Sequence, residues 1–302
     1  MLSVILPVRN APTFAANTLS SLASTFKSLG APEHVEFILI DDHSDSEHGI
    51  IELFRGFRSV MDSKVKFVHF NQRCFYTYAC AIGFTLAKGS QLLFISHDMV
   101  TTPSYVKTLL QVASLDDSYG IVRGASQYID GFPEHVITPP LPCRDYSDVA
   151  SFSDYVASYY GLAVHVDRFL VGDSFLLSRS VVDKIGVMDI GYRHFFGDID
   201  YGLRAQRAGF ELVCAKGAWL YHEGSGHARD PHTGKKDSRD EIVQLTADAV
   251  TRFCQKWDPS MPLERQSAET LDYERLRDLQ SADLVEYNPP LVIDPNVVQI
   301  LE

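Results

Sequence analysis

The stretch FFGDIDYGLRAQRAGFELVCAKGAWLYHE, residues 195–223, combines a pair of carboxylates, an amphipathic helix pattern and a single histidine. Gly197 breaks an apolar run, and Asp198 follows at the predicted start of a helix. Free backbone N–H groups and the helix dipole favour an ionised carboxylate at such a position. Asp200 lies four residues before Arg204, the acid-first order that stabilises a helix surface, so we interpret Asp200 as structural. Asp198 is the better candidate for chemistry.

The second half of this stretch leads to the histidine. Gly209 ends the predicted helix, and a β-like run follows over residues 210–214. The sequence Trp219-Leu220-Tyr221 then brings His222 to the edge of the Gly-rich loop 224–226. Imidazole is a common metal ligand, so a histidine at this place could reach a metal ion.

Composition limits the classes of protein to consider. The chain has 302 residues, of which 45% are hydrophobic and 22% charged, and this balance predicts a globular protein. Its formal net charge of −12 argues against non-specific binding to nucleic acid or to anionic lipid, which Lys and Arg clusters bind. A nucleotide could still bind through a metal ion.

Cysteine usage and hydropathy indicate a soluble protein of a reducing compartment. The five cysteines are scattered and form no C-x-x-C pair, which predicts neither a disulfide framework nor a zinc site. No apolar run approaches the roughly 20 residues of a membrane span. The N-terminus lacks a basic region ahead of its short apolar run. We therefore expect a cytoplasmic protein, with peripheral association at the inner face of the membrane left open.

Strand and helix patterns alternate through the first hundred residues, which predicts a mostly parallel α/β sheet covered by helices on both faces. The predicted strands are Leu2–Val8, Val35–Ile40, Val65–Phe70 and Gln91–Ser96. The second strand runs into Asp41-Asp42, and the fourth runs into His97-Asp98. Open α/β sheets bind ligands at the carboxyl ends of their strands, so these carboxylates are candidate binding groups.

The later part of the chain is less regular. Residues 128–153 are rich in Pro, Gly and aromatic residues and are too long for a simple connection, as is typical of an active-site wall or lid. Apolar residues at helical spacing predict a helix over residues 240–257 that packs on the core. We predict one large domain over residues 1–260 and a C-terminal helical extension over residues 261–302.

Six segments of the chain resemble family-2 glycosyltransferases of the GT-A fold, in order and with about the family's spacing. They are SVILPVRN (3–10), LIDDHSD (39–45), LLFISHD (92–98), GDSFLLSR (172–179), FFGDIDYGLRAQRAG (195–209) and YHEGSGH (221–227). The resemblance covers roughly residues 3–257. It implies a nucleotide-binding sheet flanked by helices, a nucleotide-diphospho-sugar donor, a divalent metal ion on the diphosphate, and inverting transfer to an acceptor hydroxyl.

The resemblance also implies a set of nucleotide-binding residues. Pro7 and Arg9 match the first loop of the family, which contacts the nucleotide, and the Arg9 guanidinium stands where many members have an aromatic ring. Asp41 and Asp42 match an acidic pair, of which one accepts a hydrogen bond from the base. Asn71 matches an asparagine that follows the third strand.

The remaining matches concern the metal ion and the reaction. Asp98 matches the last acid of the family's D-x-D motif, and His222 matches the second protein ligand of the metal ion. The pair would hold Mg²⁺ or Mn²⁺. A hard cation there neutralises the charge that develops on a departing nucleoside diphosphate. Asp198 matches the base that takes the proton of the incoming hydroxyl.

Structural interpretations of the same residues stay open. Asp41 and Asp42 could cap the helix that follows them, and Asp198 could be a simple helix cap. His222 could be a packed surface histidine. Asp173 and Arg179 could bind donor or acceptor, or only pack around a turn. An aromatic cluster on a predicted helix resembles a sugar-stacking wall, although a helix face buried in the core is the favoured interpretation; its members are Phe152, Tyr155, Tyr159 and Tyr160.

Function is predicted at the level of the family. We expect an inverting glycosyltransferase that takes a UDP-, dTDP- or GDP-sugar and a glycan or lipid-linked glycan acceptor, in surface polysaccharide or glycoconjugate synthesis. The alternative is a catalytically inactive nucleotide-sugar or glycan-binding module, motivated by the reduced acidic motif at Ser96-His97-Asp98. The presence of Asp98, Asp198 and His222 together argues against that alternative. The oligomeric state is not predicted.

Overall fold

A computed structural model describes residues 1–30, 34–61, 64–129, 131–193, 195–223, 239–258, 271–278 and 291–301. The predicted Gly-rich loop 224–226 lies outside the described residues, as does much of the predicted extension 261–302. The strands are β1 (Leu2–Val8), β2 (Val35–Asp41), β3 (Lys64–Phe70), β4 (Gln91–Ile95), β5 (Met99–Val100), β6 (Tyr119–Ser126), β7 (Val164–Val166), β8 (Ser174–Ser178), β9 (Glu211–His222) and β10 (Val298–Leu301). The helices of two turns or more are α1 (Pro12–Leu29), α2 (Ile50–Val60), α3 (Phe75–Leu86), α4 (Pro103–Ala113), α5 (Tyr146–Tyr160), α6 (Arg179–Ile185), α7 (Gly197–Arg207) and α8 (Arg239–Trp257), and a short helix α9 (Tyr273–Asp278) follows.

The strands form one large sheet in the order β10-β3-β2-β1-β4-β8-β6-β9-β5, with β7 also paired to β9. The four strands predicted from the first hundred residues run parallel to one another in the order β3-β2-β1-β4, as expected. Beyond β4 the sheet is mixed, because β8 runs antiparallel to both β4 and β6. β8 enters the sheet after the long connection over residues 127–173, which contains α5 and β7 and is not a simple β-α-β crossover, so the connection does not force β8 to be parallel.

Side chains alternate across β1 and build a core on each face of the sheet. Val4 and Leu6 pack with α1, α2 and α4. Ile5 packs on the opposite face with α3, α6 and α7. A Cβ at Gly83 of α3 would overlap the side chain of Ile5, so the glycine allows the helix to approach the sheet closely. Both faces are therefore covered, as the alternation of strands and helices predicts.

A third apolar cluster joins α7, α8 and α9, and includes Phe253, Trp257 and Tyr273. The predicted helix over residues 240–257 is thus confirmed as α8. The packing of α8 against α7 corrects one sequence interpretation. The Asp200–Arg204 pair is not on a helix surface, since both side chains are fully buried. The four-residue spacing fixes only that the two side chains meet along a helix, whereas their burial depends on the distant segments that cover α7.

The described part of the predicted C-terminal extension contacts the rest of the fold. Leu276 of α9 is buried in the third cluster, and β10 adds an antiparallel edge strand to β3, with Val298 opposite Phe70. The division into residues 1–260 and 261–302 stays a prediction. Within the described residues, no helix combines the length and apolarity needed to cross a bilayer.

Candidate active site

The polar residues predicted to act together lie where β1, β2, β4 and β9 end. Asp41 and Asp42 close β2, Asp98 follows β4, and His222 is the last residue of β9. The backbone N–H of Asp42 donates to the carbonyl of Val8 at 2.9 Å, which joins the ends of β1 and β2. The carboxyl edge of a sheet is the usual place of ligand binding in this type of fold.

Asp98 and His222 are brought together by a short antiparallel pairing of β5 with β9, in which Met99 is opposite His222. Nε2 of His222 lies 3.4 Å from Oδ2 of Asp98. Nδ1 of the same ring lies 3.0 Å from the carbonyl oxygen of Tyr128. That carbonyl accepts the proton of Nδ1, so the neutral ring carries its lone pair on Nε2, which is the tautomer that a metal ligand requires. When the ring is protonated, Nε2 donates to Asp98 instead.

The donor set of this pair suits a hard divalent cation. Two ligands bound to one cation at about 2.1 Å lie roughly 3 Å apart, close to the separation observed between Asp98 and His222. Burial lowers the pKa of His222, but its hydrogen bond with Asp98 and the charges of Asp173 and Asp98 outweigh burial and raise the pKa above its ordinary value. The ring therefore lies in a negative environment that would also attract a metal cation.

Gln127 holds the backbone of His222 in place. Its Oε1 accepts from the N–H of His222 at 3.1 Å, and its Nε2 donates to the carbonyl of the same residue at 2.6 Å. The backbone N–H of Glu223 donates to the carbonyl of Asp98 at 2.9 Å. The start of the irregular segment 128–153 is therefore attached to the Asp98–His222 pair, as a wall of the site would be.

Asp198 lies in the first turn of α7, as predicted. Its Oδ2 accepts from the backbone N–H of Gly172 at 2.8 Å, and its Oδ1 accepts from the N–H of Ile199 at 2.9 Å. Burial raises the pKa of Asp198 to about 6, although these backbone hydrogen bonds oppose the shift. A carboxyl with this pKa changes its ionisation at mildly acidic pH, a property that helix capping alone does not need.

Two glycines allow the close packing around Asp198. A Cβ at Gly172 would overlap the hydroxyl of Tyr76 and lie 3.1 Å from Cβ of Asp198. A Cβ at Gly197 would overlap the side chain of Thr77. A larger residue at either position would displace the carboxylate or α3.

Asp41 and Asp42 are both buried, and both make local structural contacts. Asp42 accepts from the N–H groups of Cys74 at 2.6 Å and Phe75 at 2.9 Å. It therefore caps α3, which follows the neighbouring strand, and not the helix next in the chain. Asp41 accepts from the N–H of Ser44 at 3.0 Å, and its other oxygen lies 2.8 Å from Nδ1 of His69. The capping interpretation describes these contacts, and a hydrogen bond to a nucleotide base stays a prediction.

The other predicted nucleotide-binding residues lie at the ends of β1 and β3. Pro7 is part of β1 and pairs with Ile40, while Arg9 follows β1 and is half-buried. The charge of Arg9 acts on Asp42, so the two residues are neighbours. Asn71 is exposed, and its side chain donates to the carbonyl of Asn296 at 2.8 Å, ahead of β10. The structure places Arg9 near the acidic pair and engages Asn71 with the C-terminal segment.

Arg123, on β6, is a further candidate that sequence reasoning missed. It is only 2% exposed, and its NH2 group lies 3.4 Å from both carboxylate oxygens of Asp173. A lone arginine inside the short, mostly apolar run 121–125 was the signal in the sequence. Burial of a guanidinium is costly unless it is paired, so such a residue marks a polar site inside the sheet.

A second cluster of donor atoms, unexpected from the sequence, lies beside β7. The imidazoles of His135 and His165 and the carboxylate of Asp167 offer ligand atoms within 4.8 Å of one another. Nε2 of His135 lies 2.7 Å from Asp167, while Nζ of Lys216 lies 3.0 Å from Nδ1 of His135. An ammonium that donates to Nδ1 places the imidazole proton on Nε2, and its positive charge opposes a metal cation. The arrangement suits an internal hydrogen-bonded array better than a metal site.

The sequence favours a buried helix face for the aromatic residues of α5, and the structure agrees only in part. Phe152 packs edge-on against Trp219 at 4.7 Å, as a core-facing residue would. Tyr155 and Tyr159 are 58% and 70% exposed and stack on each other at 6.0 Å. For these two tyrosines a buried helix face was the wrong expectation, because the apolar neighbours of α5 cover only the side that meets β9.

Comparison with known proteins identifies one family and several solved structures of similar fold. Residues 3–186 match the family model described as glycosyl transferase family 2. The mannosyltransferase PcManGT from Pyrobaculum calidifontis, solved with GDP-Man and Mn²⁺, is similar in fold, with a TM-score of 0.56 and 12% identity over 84% of this chain and 64% of that chain. GalNAc-T7, solved with UDP, GalNAc and Mn²⁺, gives a TM-score of 0.61 and 16% identity over 92% of this chain and 54% of that chain.

A third similar structure is residues 1–349 of TarS from S. aureus in complex with UDP-GlcNAc, with a TM-score of 0.52 and 14% identity over 84% of this chain and 66% of that chain. At these identities the likeness concerns the fold alone. The chain spans between 54% and 66% of the length of these three structures. No curated protein sequence is significantly similar to it.

Proposed function

Because this chain belongs to glycosyl transferase family 2 and has the GT-A fold expected from its sequence, we propose that it transfers a sugar from a nucleotide-diphospho-sugar to an acceptor hydroxyl with inversion. One observation carries the proposal. The N–H of Gly172 binds Asp198, and the next residue, Asp173, lies 3.9 Å from Nδ1 of His222. This dipeptide connects the proposed base to the proposed metal-binding pair, so both would face one substrate.

We assign the metal ion to Asp98 and His222, with Mg²⁺ or Mn²⁺ as the cation. When bound, the cation would neutralise charge on the diphosphate leaving group. One carboxylate and one imidazole leave further coordination positions for phosphate oxygens and water, which suits a hard cation. The complexes of PcManGT and GalNAc-T7 with Mn²⁺ support this assignment. The His135–His165–Asp167 cluster is the second candidate, and Lys216 argues against it.

Asp198 would act as the general base. Its carboxylate is fixed by two backbone N–H groups, so it is held in one orientation. In an inverting displacement, the incoming hydroxyl loses its proton as the new bond to the sugar forms, and a carboxylate within hydrogen-bond reach can accept that proton. A pKa of about 6 leaves Asp198 mostly ionised at pH 7 and basic enough to take it.

The substrates are proposed as classes. UDP-, dTDP- and GDP-sugars remain candidates, since similar folds were solved with GDP-Man and with UDP-GlcNAc. The proposed acceptor is a glycan or lipid-linked glycan in surface polysaccharide or glycoconjugate synthesis, at or near the cytoplasmic face of a membrane. The net charge of −12 disfavours nucleic acid as a partner.

A panel of nucleotide-sugars, incubated with the protein in Mn²⁺ and in EDTA, tests this function by release of nucleoside diphosphate. We expect release from at least one donor, in Mn²⁺ only. Binding of a nucleotide-sugar without turnover, with or without glycan acceptors, would instead support the inactive binding module. Proton NMR of the transferred sugar then tests inversion, because retention of the anomeric configuration would contradict a single displacement.

A further inference from the structure

Arg123 is buried in the middle of the sheet, on a strand with neighbours on both sides. Its guanidinium lies 5.4 Å from the centre of the Phe132 ring. Among the described residues, its only acidic partner within ion-pair distance is Asp173, at 3.4 Å from NH2 to each carboxylate oxygen, and the charge of Asp167 acts on it from farther away. Nε and NH1 are buried and have no hydrogen-bond partner in the described part of the chain. Nothing in the packing of an apolar sheet requires a guanidinium here, so Arg123 is better explained by Asp173.

Asp173 is fixed at both its backbone and its side chain. Its carbonyl accepts from the N–H of Ser96, two residues before Asp98, at 3.0 Å. Its Oδ1 accepts from the N–H of Ser174 at 2.7 Å. The side chain nevertheless stays 14% exposed, so it reaches the space in front of the sheet. A carboxylate with this support and partial access can bind a ligand without rearrangement.

The position of Asp173 separates it from the two roles already proposed. It faces Nδ1 of His222 at 3.9 Å, whereas Asp98 faces Nε2, so the two carboxylates lie on different sides of the ring. It is also adjacent to Gly172, whose N–H is held by Asp198. Asp173 therefore lies between the group proposed to hold the diphosphate through a metal and the group proposed to activate the acceptor. The sugar of the donor must occupy the space between those two groups.

We propose that Asp173 binds a hydroxyl group of a neutral donor sugar and that Arg123 is the positioning residue that holds Asp173 for this contact. The inference rests on the proposed function and names the part of the donor that this carboxylate recognises. A carboxylate accepts hydrogen bonds from hydroxyl groups. It repels the carboxylate of a uronic acid, and Asp98 and Asp198 nearby add to that repulsion. The donor class is therefore a neutral sugar with a free hydroxyl at the contact.

The test uses the full chain and the nucleotide-sugar identified by the donor panel. Asp173→Asn keeps the shape but removes the charge, and should lower kcat/KM by roughly 10- to 150-fold, the worth of a hydrogen bond to a charged group. The Kd of the corresponding nucleoside diphosphate in Mn²⁺ should change less than about twofold, because the sugar is absent from that probe. Equal loss in both measurements would mean that Asp173 only supports the fold, and would overturn the proposal.

Deoxy analogues of the donor give a readout that a structural role would not change. In the wild-type protein, removal of one particular hydroxyl should lower kcat/KM about as much as Asp173→Asn does. In Asp173→Asn the same deoxy analogue should show little further loss, because the partner of that hydroxyl is already changed. Independent losses for every hydroxyl position would overturn the proposal. Faster turnover of a uronic acid donor than of its neutral counterpart would do the same.

Arg123→Lys tests the positioning role. Lysine keeps the charge but lacks the planar, rigid guanidinium whose NH2 group lies against both oxygens of Asp173. The loss of kcat/KM caused by the deoxy analogue should therefore shrink towards the loss seen in Asp173→Asn. If folded Arg123→Lys loses as much kcat/KM with the deoxy analogue as the wild type does, Arg123 has no part in the proposal. A wild-type protein that turns over no nucleotide-sugar would contradict the proposed function itself, whereas an active wild type with an unaffected Asp173→Asn would overturn this inference alone.

Discussion

Nε2 of His222 lies 3.4 Å from a carboxylate oxygen of Asp98, although the two residues are far apart in the chain. The pairing of β5 with β9 enforces the contact, because Met99, next to Asp98, is registered with His222. The contact is thus part of the sheet and is supported by Gln127 and by the carbonyl of Tyr128. A pair of ligands fixed in this way should bind a cation without reorganising the backbone.

The first prediction is that binding of a nucleoside diphosphate depends on a divalent cation through Asp98. In calorimetry, wild-type protein should bind the diphosphate of its donor more tightly in Mn²⁺ than in EDTA. Asp98→Ala should lose most of that difference while keeping the affinity measured in EDTA. Asp116→Ala, a change of an exposed aspartate at a surface turn, is the matched control and should behave as wild type. Equal wild-type affinity in EDTA and in Mn²⁺ would refute metal dependence.

The second prediction concerns Asp42. Its carboxylate holds the N–H groups of Cys74 and Phe75, and Phe75 has a φ of 69°, which is unfavourable for a non-glycine residue. Asp42→Ala should therefore lower the free energy of unfolding by about 2 kcal/mol, since two half-buried donors lose their acceptor. Asp42→Asn keeps one acceptor oxygen and should lose less.

Urea unfolding of the two Asp42 variants measures this difference. Folded Asp42→Asn should also show a higher donor KM if the residue contacts the base as well. An Asp42→Ala protein with the unfolding midpoint of the wild type would show that the cap contributes nothing to stability.

The third prediction compares the two carboxylates of α7. Asp200 is completely buried and binds Arg204 at 3.1 Å, Nε1 of Trp257 at 2.9 Å and Nζ of Lys256 at 2.7 Å. Asp200→Asn leaves the buried Arg204 without its counter-charge, although Lys256 keeps its contact with Asp189, and should cost about 3–5 kcal/mol. Glu52→Gln breaks an exposed pair with Arg55 and, as the control, should cost less than about 1 kcal/mol. Similar unfolding midpoints for the two variants would contradict the buried network.

Local pattern was sufficient for part of this architecture. The parallel strands β1–β4, the helix α8, and the placement of Asp98 and Asp198 after a strand and at a helix start all follow from apolar periodicity and polar breaks. The burial of Asp200 and the cap that Asp42 makes to α3 depend on segments distant in the chain, which periodicity does not reveal. Arg123 shows the same limit: its partner Asp173 is fifty residues away and directly precedes β8, an antiparallel strand that no local signal distinguishes from a parallel one.

The fourth prediction is a pH dependence that arises from Asp198. Burial raises its pKa to about 6, and the charge of Asp173 adds to the rise; Tyr76 and Cys80 of α3 also face it. A base acts only when ionised, so kcat/KM should rise with pH through about 6 and should be roughly tenfold lower at pH 5 than on the plateau. Asp173→Asn removes a negative charge and should move this rise of kcat/KM to lower pH. A rise of kcat/KM that is centred near pH 4, or that stays at the same pH in Asp173→Asn, would contradict the assignment of Asp198 as the base.

The raised pKa of Asp198 also makes the stability of the fold depend on pH. The folded protein binds the proton of Asp198 more tightly than the unfolded chain, whose value is 3.8. This carboxyl therefore contributes stability that is complete below about pH 4 and is lost as pH rises through about 6. Asp198→Asn lacks the ionisation and should be no less stable than wild type at pH 8. Thermal unfolding at pH 5 and pH 8 measures the difference, and a large loss of stability at pH 8 would mean that the charged form holds the fold.

Turnover by Asp198→Asn tests the central claim most directly, namely that this chain transfers sugar from a nucleotide donor with Asp198 as the base. With the active donor of the panel and Mn²⁺, the variant should keep the fold and the affinity for nucleoside diphosphate of the wild type. Its kcat should fall by roughly two to four orders of magnitude, the usual contribution of a positioned general base. An Asp198→Asn protein that transfers sugar at nearly the wild-type rate would contradict the account.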